Sequence, residues 1–298
     1  PATPVTDGKR VYAFFDSPGL VAVGLDGTPA WTVPLGPFDT PYNVASSPVL
    51  FGGLVIQCCD HNRESFLLAV DEATGQERWR TPRRQGMQFS TPLVIACDGA
   101  PQVVVTGAAV QAYDPRDGRE LWSCRGLNPN VAPSAVWDGT RVYATSGRNG
   151  PAFAIDPRGR GDVTETHARL LTTVGGPYVP SPLALPELLL PGDNGHLRLL
   201  SADGVLLAQH RIRDHFTASP ILAGRLIYWP AEGGKTYLVS AERVADSAEW
   251  TLRTVGVNEL GERCLASPAA VGERLFLRTV KALYCLAGEG EAPAGRPA

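Results

Sequence analysis

Apolar and polar positions in this chain do not recur at helical spacing over three turns; they come in short bursts. From Ser46 to Thr81 the sequence reads SSPVLFGGLVIQCCDHNRESFLLAVDEATGQERWRT. This is four apolar, β-branched runs cut by Gly52-Gly53, by Asp60–Glu64 and by Ala73-Thr74-Gly75-Gln76. Runs of this length bounded by turn formers predict strands joined by hairpins, a four-stranded antiparallel meander. Pro48 opens the first strand, where a missing N–H costs little. Trp79 falls on the fourth strand and is large enough to cover a neighbouring meander, and a single meander cannot bury both its faces. The unit therefore requires copies of itself.

The copies are present. A small residue and proline followed by an apolar strand recur at Thr3-Pro4, Ser47-Pro48, Thr91-Pro92, Ala132-Pro133, Ser181-Pro182, Ser219-Pro220 and Ser267-Pro268, the prolines 44, 44, 41, 49, 38 and 48 residues apart. Four strands in a period of roughly 40–45 residues is the pattern of a β-propeller blade. The prediction is an all-β fold, a β-propeller of seven recognisable four-stranded repeats starting near 4, 48, 92, 133, 182, 220 and 268, in a single domain over 1–287. Trp31, Trp79 and Trp122 recur in register on the fourth strands, and Trp250 is placed in the same role, so all four are expected between blades. Blade four carries a polar insertion, Pro157–Thr166, and Leu170 or Leu171 is left to fill its tryptophan position. Blade five offers only Ala208 there, a loss of about 2–4 kcal/mol if nothing refills the space. Blade six carries a second insertion, Glu242–Ser247. Blade seven has three strands before the Pro/Gly/Ala/Glu stretch 288–298, which is expected to be a disordered tail. A chain that starts without Met and lacks a closing strand is expected to be a piece of a longer protein, with an eight-bladed parent compatible with the repeats.

Composition narrows the function. A net charge of −3 leaves no electrostatic footprint for nucleic acid or for an anionic membrane. No apolar run reaches the ~18 residues of a transmembrane segment. Charged residues make up only 19 %, with 32 Gly and 26 Pro, which suits tight turns. A repeat ring whose blades pack only on their neighbours is expected to be a monomer.

The repeat itself carries a resemblance. Small-Pro-apolar, an Asp/Gly turn, then LLAVDEATGQERW and VQAYDPRDGRELW resemble the quinoprotein-type repeat, found in pyrroloquinoline quinone (PQQ) dehydrogenases and in the propeller lipoprotein of the bacterial outer-membrane barrel-assembly machine. VYAFFDSPGLVAVGLDGTPAWTVPLGPFDT, STPLVIACDG, GGPYVPSPL and LGERCLASPA are similar to PQQ-binding-like propeller proteins of planctomycete-type bacteria. The likeness covers Thr3–Ala287. It implies the propeller fold and, by analogy, a periplasmic or otherwise exported location. It leaves function open between a non-enzymatic binding or scaffold module engaged in protein binding and a PQQ-dependent oxidoreductase or decayed relative.

Cys58-Cys59-Asp60 with Asn62-Arg63 is similar to the dehydrogenases' adjacent-cysteine element, which lies over the quinone, so Cys58 and Cys59 are weak cofactor-binding candidates. Against this, free cysteines commonly occupy buried strand ends. No matching calcium ligand set is found, and four tryptophans are already placed between blades. No cofactor is therefore expected, with PQQ and Ca²⁺ as the alternative. Cys97, Cys124, Cys264 and Cys285 complete an even count that does not require disulfides, although Cys264 and Cys285 fall within one blade. No Cys-x-x-Cys or close His pair suggests a metal site, and no nucleophile elbow or phosphate loop suggests a catalytic residue. The recurrent Ser before Pro is read as geometry, small residues letting the first strands converge.

Binding groups are expected on the loops that join one blade's last strand to the next blade's first, at the channel mouth. These hold Asp39, Tyr42, Asn43, Arg84, Gln88, Asn128, Asn130, Tyr178, Arg213, Asp214, His215, Asn258, Glu259 and Arg263. Aromatic, amide and carboxylate groups together suit a protein partner or a small polar ligand. A carbohydrate-active site built on Asp39 and Glu259 is a third reading, with no separation known from sequence.

Overall fold

A computed structural model describes residues 2–288 apart from positions 246 and 248, so residues 289–298 of the expected tail lie outside the described residues. Each apolar burst becomes one strand and each Gly/Asn/Asp cluster one turn. Blade one comprises β1 (Val5–Thr6), β2 (Arg10–Phe14), β3 (Gly19–Gly24) and β4 (Pro29–Pro34); blade two comprises β5 (Val49–Phe51), β6 (Leu54–Cys59), β7 (Phe66–Asp71) and β8 (Glu77–Pro82). Blade three follows with β9 (Leu93–Cys97), β10 (Ala100–Val105), β11 (Ala109–Tyr113) and β12 (Glu120–Arg125). Next come β13 (Val136–Trp137), β14 (Val142–Thr145), β15 (Ala152–Ile155), the two-residue β16 (Gly161–Asp162) and β17 (Ala168–Thr172). Blade five is β18 (Leu183–Ala184), β19 (Leu188–Pro191), β20 (His196–Leu200) and β21 (Leu206–Arg211). Blade six is β22 (Ile221–Ala223), β23 (Leu226–Pro230), β24 (Lys235–Arg243) and β25 (Trp250–Glu259). Blade seven is β26 (Ala269–Val271), β27 (Arg274–Arg278) and β28 (Leu283–Ala287). The described residues contain no helix. Seven antiparallel meanders make this an all-β, seven-bladed propeller, the seventh sheet three-stranded.

The hydroxyl before the anchor proline links the blades. The backbone N–H of Thr3 donates to Ser47 Oγ, Ser47 to Thr91 Oγ1, Thr91 to Ser134 Oγ, Ser134 to Ser181 Oγ, Ser181 to Ser219 Oγ and Ser219 to Ser267 Oγ, at 2.8–3.1 Å. Each hydroxyl thus satisfies a main-chain donor of the preceding blade, where no strand partner is at hand. Each link is worth about 1 kcal/mol. In blade four the position belongs to Ser134 with Ala135 after it. Pro133 therefore stands two residues ahead of the true anchor.

Outer-strand tryptophans lock three of the interfaces. A bulge one residue past Ala22, Ala69 and Ala112 sets those alanines opposite Trp31, Trp79 and Trp122. The Trp31 indole donates to Glu72 O at 3.0 Å and the Trp79 indole to Pro115 O at 2.9 Å, both on the third-to-fourth-strand turn of the next blade. Gly118 in that turn has φ +72°, and a Cβ there would sit 2.5 Å from the Trp79 ring, so the turn admits glycine alone. Trp122 is fully buried and donates to Gln102 Oε1 at 2.7 Å, while Gln102 donates onward to Pro157 O of blade four.

Later blades depart from that plan. The polar insertion of blade four is partly a strand: β16 pairs in parallel with β12, setting Gly161 beside Trp122, and buries Val163 in the same cluster. Leu171 is buried against blade five, where it meets Gly204, while Leu170 is exposed. In blade five Ala208 stands opposite Leu199 at the bulge, and the space is refilled. Phe216 and Trp229 stack with centroids 3.6 Å apart among Leu189, Leu197, Ile227 and Leu252. In blade six the bulge after Leu238 puts Gly256, not Trp250, in the tryptophan register. Trp250 lies opposite Arg243 in an extension of the β24–β25 hairpin and packs on the blade five–six cluster. The expected insertion is therefore a longer ladder, with Glu242 paired to Thr251.

Candidate binding face at the channel mouth

Strands alternate in direction, so the blade-to-blade loops and the loops between second and third strands open on one face. Several of the side chains expected there are presented to solvent. Tyr42 is 64 % exposed and meets Phe89 edge-on; Arg84, Asn128, Asn130, Tyr178, Arg213 and His215 are exposed. Asn43 and Asn130 have φ of 60° and 62°, a left-handed conformation that asparagine tolerates better than most residues. Asp39, on the loop between blades one and two, pairs at 3.4 Å with Arg63 of the β6–β7 loop.

Other candidates are taken up by the scaffold. Gln88 is buried, donates to Gln85 O and accepts from Val131 N–H at 2.6 Å, clamping one rim loop to the next. Asp214 accepts from Tyr237 Oη at 3.0 Å and from His215 N–H. Arg263 faces Glu232 at 3.6 Å, and Glu232 also accepts from Thr217 Oγ1. Asn258 and Glu259 lie within β25, paired with Thr236 and Lys235 in the ladder rather than carried on a loop. Glu259 therefore belongs to blade six, whereas Asp39 sits between blades one and two.

The adjacent cysteines test the cofactor alternative directly. Successive residues of a strand point to opposite faces of the sheet. Accordingly Cys59 packs with Phe14, Leu20 and Phe38 toward blade one, and Cys58 with Val103, Val105 and Tyr113 toward blade three. Both thiols are buried and free, and burial pushes both thiol pKa values well up. Asp60, next in sequence, accepts from Arg83 Nε at 2.9 Å and Nη2 at 3.1 Å, both side chains fully enclosed, and Arg83 Nη1 donates to Tyr113 Oη at 2.8 Å. Burial pulls the Arg83 pKa down and the Asp60 carboxylate more than restores it. Thiols on opposite faces of a sheet and an aspartate committed to arginine do not fit a quinone-covering element. Cys264 is buried, its thiol directed at Arg278 O, while Cys285 is exposed; both are free. Among the described residues no cluster of three or more His, Cys, Asp and Glu side chains gathers.

One feature of this face escapes a reading confined to blade-to-blade loops. A cavity of about 470 Å³ opens between blades four and five. Its walls are the second-to-third-strand loops holding Arg148, Asn149 and Asp193, the rim loop with Gly175 and Tyr178, and the strand residues His196 and Arg198. The signal available in sequence was the second-to-third-strand loop Ser146-Gly147-Arg148-Asn149-Gly150, which shares the face by strand alternation. Two buried hydroxyls of this face, Ser46 Oγ and Ser146 Oγ, and the buried Gln57 Oε1 are without a protein hydrogen-bond partner.

The fold and this face together define a β-propeller of PQQ-like repeats. The family profile described as outer membrane protein assembly factor BamB matches residues 1–181, blades one to four, and the chain belongs to that family. Among solved structures it is similar to BamB from Moraxella catarrhalis, with 16 % identity over 93 % of this chain and 78 % of that one and a TM-score of 0.69. It is also similar to a europium-containing methanol dehydrogenase (10 % identity, 95 % and 72 % covered, TM-score 0.70) and to the quinohemoprotein alcohol dehydrogenase of Comamonas testosteroni (11 %, 92 % and 62 %, 0.69). At such identities these likenesses establish the fold alone. No curated protein matches the chain. No helix among the described residues is long and apolar enough to cross a membrane.

Proposed function

We propose that this propeller is a non-enzymatic binding module of the PQQ-like repeat family, presenting the channel-mouth face to a protein or small polar ligand in an exported, periplasmic setting. The observation that carries the reading is a division of labour among polar groups. Asp60 and Arg83, with the neighbouring Cys58 and Cys59, are enclosed within blade packing. Tyr42, Arg84, Asn128, Asn130 and Arg213 stand in solvent on loops tied down by the hydroxyl links and by Gln88. Exposed aromatic and amide side chains on a braced frame lose little entropy on binding, which favours recognition. Membership of a family named for an outer membrane assembly factor agrees with a protein partner.

The test is site-specific photo-crosslinking in the native host, with the reactive residue placed at Tyr42 or Asn130 and, as a control, at Arg78 on an outer strand. A discrete adduct from the two rim positions and none from Arg78 is expected. Equal labelling at all three positions overturns the reading, and so does saturable, calcium-dependent heat on titration with PQQ.

A further inference from the structure

The cavity between blades four and five holds two guanidinium groups, of Arg148 and Arg198, against the single carboxylate of Asp193. Arg198 lies on β20 between the buried Leu197 and Leu199, with its guanidinium partly withdrawn from water. Among the described residues its one protein acceptor is Val174 O at 3.3 Å. Among the described residues no carboxylate comes within salt-bridge distance of Arg198 or Arg148, whereas eleven other arginines have such a partner. Burial pulls the Arg198 pKa down, the mark of a cation short of stabilising partners. Asp193, the acid in the wall, is already engaged: its two oxygens accept the backbone N–H groups of Tyr178 and Val179. His196 is held toward its neutral form by burial and by Arg211 and Arg198.

The backbone is shaped to keep this arrangement open. Arg148 and Asn149 both adopt left-handed conformations, φ 56° and 62°, consecutive and without glycine. Such conformations persist only where the surroundings enforce them, and they concentrate at functional sites. Here Asn149 N–H donates to Gly176 O and Gly175 N–H donates to Asn149 O, stapling the two loops together. The same geometry sets the Arg148 guanidinium 5.1 Å over the Tyr178 ring. Gly175, at φ +93°, leaves the room that Arg198 occupies, since a Cβ there would lie 1.9 Å from Nη2.

We infer that this cavity binds a small organic anion, its carboxylate or phosphate group held by Arg198 and Arg148 and its polar body lying against Tyr178 and the Asn149 and Asn194 amides. A guanidinium presents a planar fork of donors matched to carboxylate and phosphate, and about 470 Å³ suits a ligand of sugar-acid size. The inference rests on the binding-face reading in that the cavity opens on that face.

The experiment is calorimetric titration of the purified chain with glucuronate, with inorganic phosphate and with neutral glucose, repeated on R198Q and R148Q whose melting temperatures are recorded without ligand. Saturable binding of glucuronate, phosphate or both is expected, with no heat from glucose. Each variant is expected to weaken binding about tenfold or more, the scale of one charge-assisted contact. Glucuronate without phosphate identifies a carboxylate on a polar ring; phosphate without glucuronate identifies a phosphate ligand. Either supports an anion site. Absence of saturable heat with both anions, equal binding of glucose, or unchanged affinity in both variants overturns it. Arg148 lies on an exposed loop, so R148Q remains informative if R198Q unfolds. Crosslinks from Tyr42 and Asn130 that persist while both anions fail to bind would sink this inference and leave the binding-face reading intact.

Discussion

The interface between blades two and three and that between blades six and seven are built from the same repeat and packed in opposite ways. At the first, Trp79 is 8 % exposed, its indole is hydrogen-bonded to Pro115 O, and its ring lies on Gly118, while Thr81 Oγ1 donates to Gly118 O at 2.7 Å. Below it the Asp60–Arg83–Tyr113 network is sealed from water. At the second, Gly256 holds the tryptophan's register, a cavity of about 370 Å³ lined by Tyr228, Leu275 and Leu286 remains, and Val271 and Leu283 are 64 % and 69 % exposed. Where a small residue holds the tryptophan's register, other side chains settle the outcome: Phe216 and Trp229 fill the five–six interface opposite Ala208, whereas the six–seven seam with Gly256 stays partly open. The family profile ends at residue 181 and so takes in the three tryptophan-bearing blades and blade four, the first to depart from that plan.

That contrast predicts a graded set of outcomes. Arg83→Met strands Asp60 inside the two–three interface and is expected to cost about 3–5 kcal/mol in urea unfolding, the scale for breaking a buried pair. A loss under about 1 kcal/mol would mean that water reaches the site. Trp79→Ala is expected to cost about 3–5 kcal/mol through the cavity it leaves, and combining it with Arg83→Met should give less than the sum because the two share one interface. Gly256→Ala, by contrast, adds a methyl whose nearest neighbour is Leu238 Cβ at 3.7 Å, so it fits without displacement. It is expected to raise stability by about 0.5–1 kcal/mol, and a destabilisation would show that the six–seven seam is tighter than its cavity implies.

The smallest effect concerns acid. Asp71 is held down from 3.8 to about 2, first by the Arg78 guanidinium, then by the Thr74 hydroxyl and local amides. A depressed folded-state pKa stabilises above the unfolded value and is lost as pH falls through the folded one. Asp71→Asn should therefore lower stability somewhat at neutral pH and flatten part of the stability loss between 3.8 and about 2, so that variant and parent converge at lower pH. An unaltered acid limb in equilibrium unfolding would contradict it.

Legibility along the chain followed the strength of the local signal. Hairpin turns and apolar bursts place nearly every strand, since period-two runs bounded by Gly, Asn and Asp have few other stable uses. The rim loops were legible as loops, but the engagement of Gln88, Asp214 and Arg263 was not, because these partners lie 23 to 43 residues away and no local pattern names them. Arg148 and Arg198 were missed for the same reason: one lies in a short loop, the other on a strand, and only the ring brings their side chains to one cavity.

The order of polar and apolar residues therefore dictates the blades, their number in this chain and the direction of every hairpin, because those depend on neighbours within a few residues. Which register each outer strand adopts, that Gly256 rather than Trp250 meets blade seven, that Ser134 rather than the residue before Pro133 joins the hydroxyl links, and that Cys58 and Cys59 part to opposite faces are decided in three dimensions. Bulges shift the ladder by one residue at no visible cost in sequence, and one residue is enough to turn a side chain from one face of a sheet to the other.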